Sequence, residues 1–355
     1  MKQPFPASLT IFITPMKCVW IKYTLLVFGV VLFTGCGNQN VKAPAGDTDP
    51  IFQSDPKLKS ITEEIKQMPK DASLYFRRGT MLHKMQFDSL AIKDFKTASS
   101  LDTNKAEYYS AVGDVLFEKK DLSGSVTWIQ KAIAKNPNDR KAHLKVAKLF
   151  LYIKDYPKSF SEINIVLRQD VYNPEAYFLK GMLYKDAKDT AKAISNFLTA
   201  VQVAPDYKDA IVQLGLLYSA KNDPIAIKYL ENAYKLDTTD VFPIYASGVY
   251  YQNNKDNAKA KELYRNCIIR DRHFADAYFN MGYILMQEDS AAKAYRQYDM
   301  VTKIDPRNAT AYYNRGICSE MMDSVKKAVD DYRIALSLDS SYKSPKEALK
   351  RLRRN

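Results

Sequence analysis

The residues that could do chemistry are few and badly placed for it. The 355-residue chain has three histidines and four cysteines. His83, His143 and His273 each lack a second His or Cys one helical turn away, so neither an HExxH pair nor zinc-ligand spacing is present. His143 reads as a satisfied core histidine, not a ligand. No Gly-rich phosphate loop, dinucleotide fingerprint or GxSxG elbow occurs. The carboxylate neighbours Glu63/Glu64 and Asp330/Asp331 are adjacent in sequence, and i and i+1 do not converge on a helix. Lys and Arg exceed Asp and Glu by 53 to 40, giving +13, but they are scattered and form no stripe for nucleic acid. The expectation is no enzyme, no cofactor, no metal and no nucleic-acid partner. What remains is attachment and recognition.

Attachment falls to Cys36. Lys17 and Lys22 lead into the apolar run Tyr23 to Phe33, too short for a bilayer, which needs about 20 residues, and right for a signal-peptide core. Leu32-Phe33-Thr34-Gly35-Cys36 resembles the lipobox of bacterial lipoproteins, with Phe33 where Leu is usual. That resemblance implies cleavage before Cys36 and acylation of its thiol. Met16 is a plausible true start, which makes 1–35 the signal region and trims the net charge to +10 with Lys2, Lys17 and Lys22 gone. Residues 36–56 are polar and turn-rich, a tether reaching on the order of 25 Å. The absence of an acidic run after Cys36 points to the periplasmic face of an outer membrane. Cys18 leaves with the signal, so only Cys267 and Cys318 could pair, and helices packed about 8–10 Å apart hold them too far apart for a disulfide.

Recognition rests on a repeat. Glycines at Gly79, Gly113, Gly181, Gly215, Gly248, Gly282 and Gly316 fall on a lattice of 33 or 34 residues, with Ala147 filling the one double step. Small residues follow twelve positions later (Ala91, Ser125, Ser159, Ala193, Ala260, Ala294 and Ala328), then large apolar ones such as Phe95, Phe197, Tyr264, Tyr298 and Tyr332. Offsets of 3, 4 and 7 describe one helical face. Asn136-Pro137 and Asp305-Pro306 stop one helix before the next. The unit is helix A, turn, helix B, with side-chain bulk removed where A and B cross.

Residues Tyr177, Gly181, Tyr184, Ala193, Phe197, Ala200 and Pro205 show the pattern in full, and it resembles the tetratricopeptide repeat. The resemblance implies an all-α, right-handed superhelical solenoid of eight repeats: 72–105, 106–139, 140–173, 174–207, 208–240, 241–274, 275–308 and 309–342. Position seven departs from the pattern with Arg78, Lys180 and Arg315, and the third repeat departs with His143, Ala147 and Ser159. A capping helix over 57–71 and a basic one over 343–355 close the ends, as terminal repeats require.

In such an array, A-helix positions 2, 5, 6, 9, 12 and 13 line the concave face. In repeats 4–8 that face is apolar and aromatic, and the partner-binding residues expected there are Phe178, Met182, Leu216, Tyr245, Val249, Phe279, Asn280, Tyr283, Tyr313, Asn314 and Ile317. In repeats 2 and 3 it is charged, with Glu107, Asp114, Glu118, Lys141, Lys145 and Lys148. Asn280 and Asn314, one repeat apart, resemble the asparagine ladder by which some tetratricopeptide superhelices hold an extended peptide. An amphipathic helix is the other occupant such a groove takes. The expected protein is a lipid-anchored envelope adaptor with protein partners. A glycan-binding lipoprotein is the alternative, weakened by having only Trp20 and Trp128.

Overall fold

The structure, a computed structural model, describes residues 50–353. The signal region, Met16, Cys36 and most of the expected tether lie outside the described residues. Among the described residues there are nineteen helices and no strand, and no helix is long and apolar enough to cross a membrane. The A helices of the eight repeats are α3 (Ala72–Lys84), α5 (Ala106–Glu118), α7 (Arg140–Tyr152), α9 (Pro174–Asp186), α11 (Lys208–Ala220), α13 (Phe242–Asn253), α15 (Ala275–Gln287) and α17 (Ala309–Met321). Their B partners are α4 (Asp88–Leu101), α6 (Leu122–Lys135), α8 (Tyr156–Gln169), α10 (Thr190–Val203), α12 (Ile225–Leu236), α14 (Asn257–Arg270), α16 (Ala291–Ile304) and α18 (Val325–Leu338).

The A–B crossing works as the small residues demand. A Cβ on Gly113 would sit 2.5 Å from the Ile129 side chain, and one on Gly248 would sit 2.6 Å from the Tyr264 ring. The hydroxyls that replace alanine at position 20 bond across the crossing: Ser125 Oγ donates to the Gly113 carbonyl and Ser159 Oγ to that of Ala147, each at 2.8 Å. The third repeat therefore packs like its neighbours despite its altered residues.

Every A–B turn is closed by one device. Position 15 takes a positive φ between 53° and 66° in all eight repeats, and none of these residues is glycine. The next N–H reaches back to the position-11 carbonyl, as Asp155 does to Phe150 at 2.8 Å, which is the Schellman closure of a helix C-terminus. The position-16 aspartate then caps helix B, with Asp121, Asp155, Asp189 and Asp256 each accepting from the backbone N–H three residues on. The Lys-Asp dipeptides at 120–121, 154–155, 188–189 and 255–256 are its trace in the sequence.

Two expectations are corrected. The N-terminal array starts before residue 57: α1 (Ile51–Ser54) is helical and Phe52 is buried, ahead of α2 (Pro56–Gln67). Phe52 lies under the Arg78 guanidinium, 4.5 Å from its carbon to the ring centre, and covers the end of the core that a free tether would leave wet. The arginines that depart from the pattern at position seven are ion-pair centres, Arg78 buried and Arg315 half-buried. Arg78 grips Asp94 with two bonds of 2.7 Å and reaches the Thr62 hydroxyl of α2 at 3.3 Å. Arg315 repeats this on Asp331, with Thr302 and Asp299 from the preceding B helix. Thr62 thus occupies the register of Asp299, sixteen residues before its arginine, which makes α2 a B helix without a full A partner. At the other end α19 (Lys343–Leu352) lays Ala348, Leu349 and Leu352 on Tyr332 and Ile317, and its Arg351 pairs with Glu320 at 2.7 Å.

Candidate partner-binding groove

Successive A helices approach each other directly, α7 with α9 and α11 with α13, and no pair of successive B helices meets as closely. Closer spacing on one side puts the A helices on the inside of the curve. The residues expected on that face belong to these A helices, and the structure divides them by register.

Position 5 is packed, not free. Phe178 leans on Phe197 and Tyr207, Tyr245 on Tyr264 and Phe274, and Tyr313 on Tyr332 and Tyr342, with ring centres 5.1–5.8 Å apart. Phe279 meets Tyr298 edge-on at 5.4 Å. These four are half-buried. Their rings tie each repeat to its own B helix and to the next turn, so they form the floor of the groove.

Position 6 overturns the asparagine ladder. Asn280 Nδ2 donates to the hydroxyls of Tyr245 at 3.1 Å and Tyr264 at 3.4 Å. Burial pushes both phenols above their usual range, so they stay neutral, and Tyr264 in turn donates to Gln252 at 2.6 Å. Asn314 is buried, and its Nδ2 finds no acceptor. Asn280 thus spends its amide donor on a contact between repeats, and Asn314 is too buried to be displayed to a peptide. Sequence spacing placed them in register but could not report that a tyrosine hydroxyl was waiting one repeat earlier.

Position 9 is the free row. Met182, Leu216, Tyr283 and Ile317 are half-buried like the position-5 rings but are not stacked on another ring, Ile317 also borders α19, and Val249 is buried. Lys185 Nζ donates to Gln213 across two repeats at 2.6 Å, and burial pulls its ammonium below the usual lysine range. Glu175, Asp209 and Asp276 stand exposed at position 2, giving this stretch an acidic edge. In repeats 2 and 3 the charges answer each other instead: Lys145 contacts both carboxylate oxygens of Asp114 at 2.7 Å.

The histidines and the tryptophan are engaged elsewhere. His143 is buried, with Nδ1 2.5 Å from Glu162 and Nε2 3.0 Å from the Pro137 carbonyl. The hydroxyls of Tyr75 and Tyr109 also donate to the carbonyl six residues back, so His143 plays the part of a position-4 tyrosine. His83 lies 2.9 Å from Asp88 and His273 is exposed. Trp128 is covered by the Lys131 and Lys96 ammoniums, 4.3 and 5.6 Å from its ring centre, so it offers no open platform to a sugar. Cys267 and Cys318 are free and buried, and burial pushes both thiols up to about 12.

A tetratricopeptide repeat family model matches residues 174–207, the fourth repeat. Among curated proteins, human DnaJ homolog subfamily C member 7 is 25% identical over 250 residues, 64% of this chain and 48% of that protein. Human protein O-mannosyl-transferase TMTC3 is 23% identical over 240 residues, covering 66% and 26%. The chain thus spans half or less of the length of these relatives. Two solved structures share the fold. A tetratricopeptide repeat protein from Parabacteroides merdae is 16% identical with a TM-score of 0.52, covering 71% of this chain and 99% of that one. PilW, described as a widely conserved type IV pilus biogenesis factor, is 15% identical with a TM-score of 0.51, covering 59% and 97%. The fold is that of an α-solenoid of the tetratricopeptide-repeat kind. Its fourth repeat carries the sequence pattern of that family, and such a scaffold points to protein partners.

Proposed function

We propose that this protein is a non-enzymatic adaptor, anchored by lipid on Cys36 in a bacterial envelope, that captures an amphipathic helix of a protein partner. The half-buried apolar row of Met182, Leu216, Tyr283 and Ile317, one position per repeat on the A helices, carries the reading. A helix offers its own apolar stripe to such a row and needs no backbone hydrogen bonds from the groove. That suits a face whose asparagine amides are turned inward. The acidic residues at position 2 favour a partner with basic residues beside its stripe. The outer membrane, facing the periplasm, is the proposed location, and aiding assembly of an envelope complex is the proposed role, in plan like PilW.

The test is crosslinking and pull-down from native envelopes with Leu216→Asp and Tyr283→Asp together. Binding should weaken by at least about 2 kcal/mol, the scale of interface hot spots, while helical circular dichroism is kept. If capture survives this change but is lost on reversing Lys141, Lys145 and Lys148, the site lies in repeat 3 and the assignment is wrong. The anchor is tested separately: Cys36→Ala should release the protein from membranes and abolish labelling by an alkyne fatty acid.

A further inference from the structure

On the opposite, B-helix side of the array, α14, α15 and α16 enclose a cavity of about 440 Å³. Lys261 and Arg265 line it from α14, Lys293 and Arg296 from α16, and Glu288 from the end of α15. Four cations therefore face one carboxylate. Glu288 is held by Lys261 at 2.6 Å, and the nearby Glu262 is held by Lys259 at 3.0 Å. Arg265, Lys293 and Arg296 have no ion-pair partner among the described residues. Met281 and Leu285 form the apolar floor, and Gln297 and Ser290 add neutral polar groups.

The repeat register shows that this cavity is particular to one junction. Lys261 stands at position 21, where the other seven repeats carry Ile, Val, Phe or Tyr, as at Ile92, Phe160 and Tyr295. An apolar side chain at that position packs on the following A helix. Lys261 instead swings its ammonium out to Glu288 and leaves the space beside Met281 open and positively charged.

We infer that this cleft binds a phosphate-bearing anion. Two guanidiniums and two ammoniums lining a half-open cleft match a multivalent phosphate, to which Arg bonds in a bidentate fork and Lys as a point charge. The volume exceeds what a single phosphate fills, so the fitting ligands carry a second phosphate or a polyol beside the first. A soluble phosphorylated compound and the phosphate of an anionic lipid headgroup share this chemistry.

The experiment is calorimetric titration of the purified full chain with sodium pyrophosphate at low salt, on wild type, Lys293→Gln/Arg296→Gln and Glu288→Gln. Expected are saturable binding in wild type that weakens as salt rises, and a loss of about tenfold or more in the double variant. Glu288→Gln, which removes the competing carboxylate and frees Lys261, should bind more tightly. Circular dichroism and melting temperature without ligand should stay near wild type in all three. Co-sedimentation with phosphatidylcholine vesicles containing phosphatidylglycerol separates the sources. Pyrophosphate-displaceable vesicle binding assigns the headgroup, and pyrophosphate binding without vesicle capture assigns a soluble ligand. Absence of saturable pyrophosphate binding, or binding unchanged in the double variant, overturns the site.

Discussion

Asn280 and Asn314 hold the same register, one repeat apart, yet replacing each by leucine should shift stability in opposite directions. Asn280 bonds two tyrosine hydroxyls. Phe279 stands in the register of Tyr245, so the nearer of the two acceptor hydroxyls is missing for Asn314, and its Nδ2 makes no bond to Tyr298, which stands in the register of Tyr264. The hydroxyl of Tyr298 is likewise unpaired, because position 12 of its repeat is Met286 where Gln252 and Glu320 serve Tyr264 and Tyr332. A buried donor without a partner costs about 1–3 kcal/mol, and a made bond returns about 0.5–1.5. Asn280→Leu strands the Tyr245 hydroxyl, while Tyr264 keeps its bond to Gln252, and should destabilise by about 1–2 kcal/mol. Asn314→Leu removes an unpaired amide and should be neutral or stabilising. Phe279→Tyr should supply the missing acceptor and gain about 1 kcal/mol, a rise on the order of 2 °C in melting temperature. Because a solenoid opens locally, amide hydrogen exchange in α15 to α17 is the sharper assay, with protection rising about fivefold in Phe279→Tyr. Equal destabilisation by the two leucine variants would refute the reasoning.

Three further outcomes follow from other parts of the fold. Asp94→Asn removes the carboxylate that holds the 2%-exposed Arg78 side chain by two bonds and should cost about 3–5 kcal/mol, read as lost exchange protection in repeat 1, while Arg78→Met with Asp94→Leu should cost far less. Lys154→Gly, at φ 61°, should stabilise repeat 3 by about 1 kcal/mol in urea unfolding, since glycine takes this conformation without a Cβ penalty. The Asp237 carboxyl is held well below the usual carboxylate range by hydrogen bonds from Lys208 and Thr239. Its contribution is therefore complete above the unfolded value near 4 and declines as pH falls below it. Asp237→Asn should melt below wild type at neutral pH, and the gap should narrow steadily in acid.

The repeat was legible because its signal is steric and local. A glycine that cannot carry a Cβ at the A–B crossing must recur, and at Gly79, Gly113, Gly181, Gly215, Gly248, Gly282 and Gly316 an added Cβ would meet the B-helix side chain sixteen or, at Gly215, fifteen residues on. What escaped was pairwise and long-range in register. Arg78 and Arg315 looked like departures from a leucine position, yet each has an aspartate sixteen residues on, and that shared spacing was available as the signal of a buried ion pair. The start of the array at Ile51 escaped for another reason: Phe52 has no periodic context, and only the Arg78 face it covers explains its burial. The left-handed residue of each turn escaped because lysine, not glycine, occupies it in half the repeats.

The groove was half legible, and the division has a physical cause. Spacing identifies which residues share a face of helix A, but not how deep each sits once the next repeat arrives. Positions 5 and 6 lie beside that neighbour, so the aromatics at 178, 245, 279 and 313 and the amides at 280 and 314 are drawn into inter-repeat contacts. Position 9 sits one helical turn further on, and its side chains at 182, 216, 283 and 317 are half-buried without being drawn into ring stacks. A partner therefore meets four apolar residues spread over repeats 4 to 8, interrupted at Val249. One continuous amphipathic helix laid along the array would have to bridge that gap. The gap makes a partner with two apolar clusters, one against Met182 and Leu216 and the other against Tyr283 and Ile317, the better fit to this face.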